Sequence, residues 1–175
     1  DVRIEDLLGR EKVLLDWEAI HRGLTGHTVM ITGGGGSIGS ELCRQVARLG
    51  PSRLVILDSS EYNLYRIDLE LRRDFPPLNL LACLADVSDA DEIDRLMRSH
   101  RPSVVFHAAA YKHVPLLEHQ ARAAVINNVF GTRIVAEKAA AYGCETFVLI
   151  STDKAVNPAN VMGTSKRVAE IYCQD

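Results

Sequence analysis

The sequence has no block of basic residues, no cysteines spaced C-x-x-C and no apolar run long enough to span a membrane. Each absence removes a class of function. Nucleic-acid binders carry a basic face. Here 20 Lys and Arg stand against 23 Asp and Glu, a net charge of −3, so no nucleic-acid partner is expected. Cys43, Cys83, Cys144 and Cys173 are too far apart in sequence for a zinc or redox pair. No metal site is expected, and reduced thiols in a cytosolic compartment are the simplest reading. A spanning helix needs about 18 or more apolar residues in a row, so no membrane contact is expected within this chain. An initiating Met, a signal-peptide pattern, repeats and low-complexity tracts are also missing. The final "VAEIYCQD" stops inside a helical pattern, and both ends read as cuts in a longer protein.

What is present is an ordinary core-forming composition: 175 residues, 47% hydrophobic and 25% charged, enough for one domain. Residues 1–25 read as a helical lead-in, with "IEDLL" and "WEAI" as short helical pieces. From residue 26 to 175 strand and helix patterns alternate. The expected strands are "TVMIT", "RLVILD", "LNLLACLAD", "SVVFHAAA" and "TFVLIS". Between them lie expected helices at Ser37–Leu49, Ser60–Asp74, Ser88–Ser99 and about Leu116–Tyr142. Gly50-Pro51 stops the first of these, and Ser88 with Asp91 resembles a capping box. The strands are short, continuous and apolar, as parallel strands buried on both faces are. The fold class is therefore α/β, a Rossmann-type doubly wound parallel sheet. Right-handed crossovers give the strand order 3-2-1-4-5, with the ligand above strands 1 and 4.

"TGGGGSIG" joins the first strand to the first helix. Gly33, Gly36 and Gly39 fit G-x-x-G-x-x-G, with Ser37 and Ile38 opening the helix toward a pyrophosphate. Gly34 and Gly35 add flexibility and are assigned no contact. Asp58 ends the second strand 19 residues after Gly39, where an acid binds the adenosine ribose hydroxyls. A carboxylate there repels a 2′-phosphate, and Ser59 and Ser60 follow rather than an Arg. NAD is favoured over NADP, against the plainer reading of Asp58 as a helix cap. Asp86 meets the adenine edge or caps the next helix, and Val87 beside it joins the cofactor set. Ala108 and Ala109 leave room for a flat cofactor, while His107 reads as structural.

These motifs, with "HAAAYKHVPLLE", "NNVFGT" and "STDKAVNPANVMGTSKRVAE", resemble the extended short-chain dehydrogenase/reductase family. More narrowly they are similar to bacterial nucleotide-sugar 4,6-dehydratases of polysaccharide biosynthesis, above all the long, membrane-anchored subfamily acting on UDP-N-acetylglucosamine. The leading "DLLGR" fits the same resemblance. It implies oxidation of the sugar at C4 by hydride transfer to NAD, proton abstraction at C5, loss of the C6 hydroxyl as water, and return of the hydride to C6. It implies Asp153 as the acid, Lys154 as the base and Lys166 as the lysine of the nicotinamide ribose. A lysine base needs burial or a cationic neighbour to depress its pKa, and Asp153 as acid needs its own raised; a coupled pair reconciles them. The wider family has Tyr four positions before Lys166, where this chain has Met162, on the same helix face. A thioether cannot take the C4 proton, which leaves Thr152, Asp153 or Lys154 for that task.

Asn128 matches a family Asn that steadies the active-site helix; the plain alternative is a helix-surface Asn. Lys112 and His113 follow the fourth strand toward the substrate, or are solvated loop residues. By resemblance the complete protein has N-terminal membrane helices, a cytoplasmic catalytic domain on the inner membrane, a C-terminal substrate lobe missing here, and a homo-oligomeric state. Two other readings remain: an epimerase or reductase on the same scaffold, and a silent NAD-binding domain, for which Met162 speaks.

Overall fold

A computed structural model describes residues 16–174. The expected helical piece "IEDLL" and the "DLLGR" string lie outside the described residues. The "WEAI" piece opens helix α1, Trp17–Leu24. Five parallel strands follow: β1 Thr28–Thr32, β2 Arg53–Asp58, β3 Leu80–Leu84, β4 Val104–His107 and β5 Thr146–Leu149. Their order is β3-β2-β1-β4-β5, so the chain reverses direction across the sheet between β1 and β4.

Side-chain alternation on the strands explains why apolar residues run without a break. Val29, Ile31, Leu54 and Ile56 face α1, α2 (Ser37–Arg48) and α3 (Glu61–Asp74) in one core. Met30, Val55, Leu57 and Val105 face α4 (Ala90–His100) and the later helix α7 (Gly131–Ala141) in a second core. Both faces of the sheet are thus buried, and the polar residues it does bury, Thr32 and His107, are hydrogen-bonded to each other.

Several boundaries differ from expectation. β4 stops at His107 because β1 ends opposite it at Thr32. Ala108–Ala110 leave the sheet after one last bond, Ala108 N–H to the Thr32 carbonyl. β3 likewise covers only Leu80–Leu84, since β2 offers no partner beyond Asp58. The N-cap of α4 is Asp89, whose carboxylate accepts from the Asp91 and Glu92 amides. Ser88 therefore forms no capping box and instead donates to Asp86.

The single long helix expected over 116–142 is four pieces. They are α5 Val114–Glu118, α6 Ala121–Ala124, a π-helical segment Val125–Phe130, and α7. Pro115 sits in the first turn of α5, where a missing N–H is harmless. The π segment inserts one extra residue per turn, a device frequent at functional sites. It turns Asn128 inward. A short 3₁₀ turn, Asp153–Ala155, leads to α8, Val161–Gln174. Met162 of α8 packs with Leu117 and Ala124 in a third, small cluster that seats α8 against α5 and α6.

Candidate active site

Two clefts open above the carboxyl ends of the strands. The first, about 250 Å³, is bounded by Gly33, Asp58, Ala85, Asp86, Val87 and Ala109. The second, about 310 Å³, is bounded by Ser37, Lys112, Thr152, Lys154, Met162 and Lys166. They share Gly36, Ala108, Ala110 and Tyr111. The shared wall lies at the β1–β4 reversal, the place where an open α/β sheet takes its ligand. Through these shared residues the two clefts form one continuous groove.

The glycine loop makes the shared wall close-fitting. Gly33 has φ +66°, and a Cβ on it would lie 2.7 Å from the Ala109 Cα. A Cβ on Gly39 would overlap the Gly33 carbonyl oxygen, so α2 can approach β1 only with glycine there. Gly39→Ala should lower stability by about 1–3 kcal/mol through overpacking. A urea midpoint equal to that of the unaltered protein would contradict this.

Asp58 is a fixed anion. One carboxylate oxygen accepts from Gly35 N–H at 2.9 Å and the other from Ser60 N–H at 2.8 Å. Gly35, assigned no contact from sequence, thus ties the loop to the end of β2. The helix cap reading of Asp58 does not hold, because Ser60 caps α3 by accepting from the Asn63 amide. Asp86 is not a helix cap either. Its carboxylate accepts from Ser88 N–H and the Ser88 hydroxyl at the first cleft. No lysine or arginine lines that cleft among the described residues.

At the second cleft Lys166 is only 5% exposed, and its ammonium donates to the Ile150 carbonyl at 2.6 Å. Burial holds its pKa below the usual lysine range. Met162, one turn earlier, is 3% exposed and also reaches the cleft. Thr152 donates from its hydroxyl to the Asp153 carboxylate at 3.0 Å. Asp153 and Lys154 are both exposed, and Asp153 does not itself line the cleft. The described residues therefore do not supply the burial expected around Lys154.

Asn128 is 1% exposed, not on a helix surface. Its side-chain amide donates to the Tyr111 carbonyl and Ser165 Oγ, and its oxygen accepts from the Tyr111 amide. Asn128 therefore ties the loop after β4 to α8, and both its N–H groups are committed to the protein rather than free for a substrate. His113 precedes α5 and lines neither cleft; with Leu116 and Gln120 it borders a third, which meets the second at Ala110, Tyr111 and Lys112. Tyr111 and Asn127 line the first cleft without having been singled out from sequence; their place directly after "HAAA" and beside Asn128 was the available signal.

His107 is fully buried between two hydroxyls. Its Nδ1 lies 2.7 Å from Thr32 Oγ1 and its Nε2 lies 2.9 Å from Thr132 Oγ1. The Thr132 hydroxyl spends its one hydrogen on the Asn128 carbonyl. It must therefore accept from His107 Nε2–H, which leaves Nδ1 bare to accept from Thr32. The ring is neutral and structural, as read from sequence.

A parallel sheet of order 3-2-1-4-5 with a glycine loop at its reversal is a Rossmann-like α/β fold. Residues 29–175 match the family described as "Polysaccharide biosynthesis protein", and the chain belongs to that family. It is 51% identical over 172 residues to the "Probable polysaccharide biosynthesis protein EpsC" of Bacillus subtilis (strain 168), covering 98% of this chain and 29% of that one. The X-ray structure of Pen from Bacillus thuringiensis superposes with a TM-score of 0.79 at 31% identity, over 85% of this chain and 46% of that one. The UDP-glucose-4-epimerase of Stenotrophomonas maltophila, solved with bound NAD and formylated UDP-arabinopyranose, shares the fold with a TM-score of 0.73 at 24% identity, over 85% and 48%. The chain thus spans under a third of its curated relative and about half of these structures. Among the described residues no helix is long and apolar enough to cross a membrane.

Proposed function

We propose that this chain is the cofactor-binding part of an NAD-dependent nucleotide-sugar 4,6-dehydratase, acting on UDP-N-acetylglucosamine for surface polysaccharide synthesis. One observation carries the reading: Thr152, Lys154, Met162 and Lys166 line one cleft beside the glycine loop, with Asp153 hydrogen-bonded to Thr152. The adenosine half would lie in the first cleft with its ribose at Asp58 and its adenine near Asp86 and Val87. Two carboxylates and no cation among the described residues there favour NAD over NADP. Bound across both clefts, NAD would take a hydride from the sugar's C4 and return one to C6.

The chain's own residues handle the protons. Met162 cannot accept one from the C4 hydroxyl. Thr152 can receive it while passing its own hydrogen to Asp153, along the 3.0 Å bond between them. Asp153 then holds the proton that the departing C6 hydroxyl needs to leave as water. Lys154 takes the C5 proton, made acidic by the new C4 ketone, and gives it back after hydride return. Lys166, held at the Ile150 carbonyl, positions the nicotinamide ribose. The burial missing around Lys154 would come from the substrate itself. An epimerase has no use for this acid–base pair, and a silent domain has no use for the cluster at all.

The test is mass spectrometry of UDP-N-acetylglucosamine after incubation with the complete protein and catalytic NAD. Loss of one water without net reduction of NAD is the expected result. An unchanged mass despite NAD binding would reject the dehydratase in favour of an epimerase or a non-catalytic domain.

A further inference from the structure

Asp153 and Lys154 are exposed, and the Lys154 side chain makes no hydrogen bond or ion pair among the described residues. The chain that follows, 156–159, is exposed as well. The acid–base turn is held instead through its backbone. Ala155 is fully buried. Gly163 of α8 lies directly against the Lys154 carbonyl oxygen, which a Cβ at 163 would overlap. The turn therefore rests on the first turn of α8, and what fixes that part of the helix also fixes the height of Lys154 over the second cleft.

The first turn of a helix has N–H groups with no partner inside the helix. In α8 two of them are taken by side chains. Asn160 Oδ1 accepts from Gly163 N–H at 2.7 Å, as a capping residue does. Glu118 Oε1 accepts from Val161 N–H, the first of the helix, at 2.7 Å. That carboxylate comes from another element, the last residue of α5, 43 positions earlier in the chain. Its negative charge suits the positive end of α8. Beside it, Leu117 is buried in one cluster with Met162. Glu118 lines none of the three clefts, so it does not touch a ligand held there.

We infer that Glu118 is a positioning residue for the acid–base turn: it pins the first turn of α8 to α5, and Gly163 passes that placement to the Lys154 backbone. The inference rests on the dehydratase reading above for what Lys154 does, and adds to it a residue outside the clefts. Misplacing a reacting group by about 1 Å can cost about 10²-fold in rate. Lys154 has no side-chain partner among the described residues that would restore its place.

The experiment compares the complete protein with its Glu118→Ala and Glu118→Gln variants in two measurements. One is steady-state dehydration of UDP-N-acetylglucosamine, and the other is amide hydrogen exchange read by mass spectrometry. Glu118 is exposed, so both variants should fold. Glu118→Ala should lower kcat about 10–100-fold. The KM for the sugar nucleotide and the affinity for NAD should stay within about twofold, the signature of an effect confined to the chemical step. Exchange should quicken about tenfold at residues 161–164 and also at 153–156. Glu118→Gln keeps an oxygen that can accept from Val161, and should stay within about threefold of the unaltered protein in both measurements. Exchange that quickens in α8 alone, or a kcat that does not fall, would reduce Glu118 to a helix cap and overturn the inference. A loss matched by weaker NAD binding would overturn it too, as would a loss in Glu118→Gln as large as in Glu118→Ala. If the unaltered protein leaves UDP-N-acetylglucosamine unchanged, the dehydratase reading fails and exchange at 153–156 decides alone. Faster exchange there in Glu118→Ala would keep Glu118 as the residue that holds the turn, and unchanged exchange would overturn that as well.

Discussion

On the proposed mechanism, Lys154→Ala should lower the dehydration of UDP-N-acetylglucosamine by roughly 10²–10⁴-fold, the span usual for loss of a positioned general base. The fold should be unaffected. The Lys154 side chain is exposed and makes no side-chain hydrogen bond or ion pair among the described residues. The unfolding midpoint and the NAD affinity should therefore match those of the unaltered protein. The loss should fall on one step. In deuterated water the unaltered enzyme should place deuterium at C5 of the product, because the base returns a solvent-exchanged proton. Lys154→Ala should leave the C5 hydrogen of recovered sugar unexchanged. Water loss within tenfold of normal, or continued C5 exchange, would show that another group is the base.

Met162 gives this prediction its edge. Here the residue one turn before Lys166 is a thioether packed against Leu117 and Ala124. On the proposed mechanism the protons pass through Thr152, Asp153 and Lys154. The acid–base turn Asp153–Ala155 is therefore more concentrated in role than its exposed position suggests.

The sheet was legible because buried parallel strands must be apolar throughout, and glycine or proline separates them from the helices. The order 3-2-1-4-5 followed from the handedness of crossovers alone. Gly33, Gly39 and Asp58 were legible because backbone geometry admits few substitutes. The interior of 116–142 was not. Helical periodicity cannot register the one extra residue of a π turn, so it could not decide between the two readings of Asn128, which is 1% exposed. Ser88 and Asp89 are both good caps, one residue apart, and only the backbone decides between them. The Gly35–Asp58 bond joins residues 23 apart through a main-chain amide, which carries no residue-type signal. Exposure of Asp153 and Lys154 was equally hidden, since a loop's depth depends on what surrounds it.

Acidification from pH 6.5 toward 3 should destabilise the protein through His107. Full burial, and then the Lys166 ammonium, push its pKa from the usual 6.5 down to about 3. Between those values the unfolded chain binds a proton that the native state refuses. Stability contributed by the neutral ring is complete above pH 6.5 and is lost as pH falls through that window, at about 1.4 kcal/mol per pH unit. The cause is geometric as well as dielectric. Thr132 already donates to the Asn128 carbonyl, so a second ring N–H would meet the Thr32 hydroxyl, which must turn its own hydrogen away. His100 is shifted in the same direction by burial, and carboxylates such as Glu70, held below the usual range by the Arg44 hydrogen bond, add to the loss on further acidification. A difference measurement removes both. His107→Gln keeps one donor and one acceptor, and at pH 7 should cost about 1–3 kcal/mol from imperfect hydrogen bonding in the core. Between pH 6.5 and 5 its urea-unfolding free energy should fall less steeply than that of the unaltered protein, by close to one proton's worth of slope. Identical slopes would mean that His107 accepts a proton in the native state. The Thr32 hydroxyl would then turn to accept from the second ring N–H, while Thr132 continued to donate to the Asn128 carbonyl.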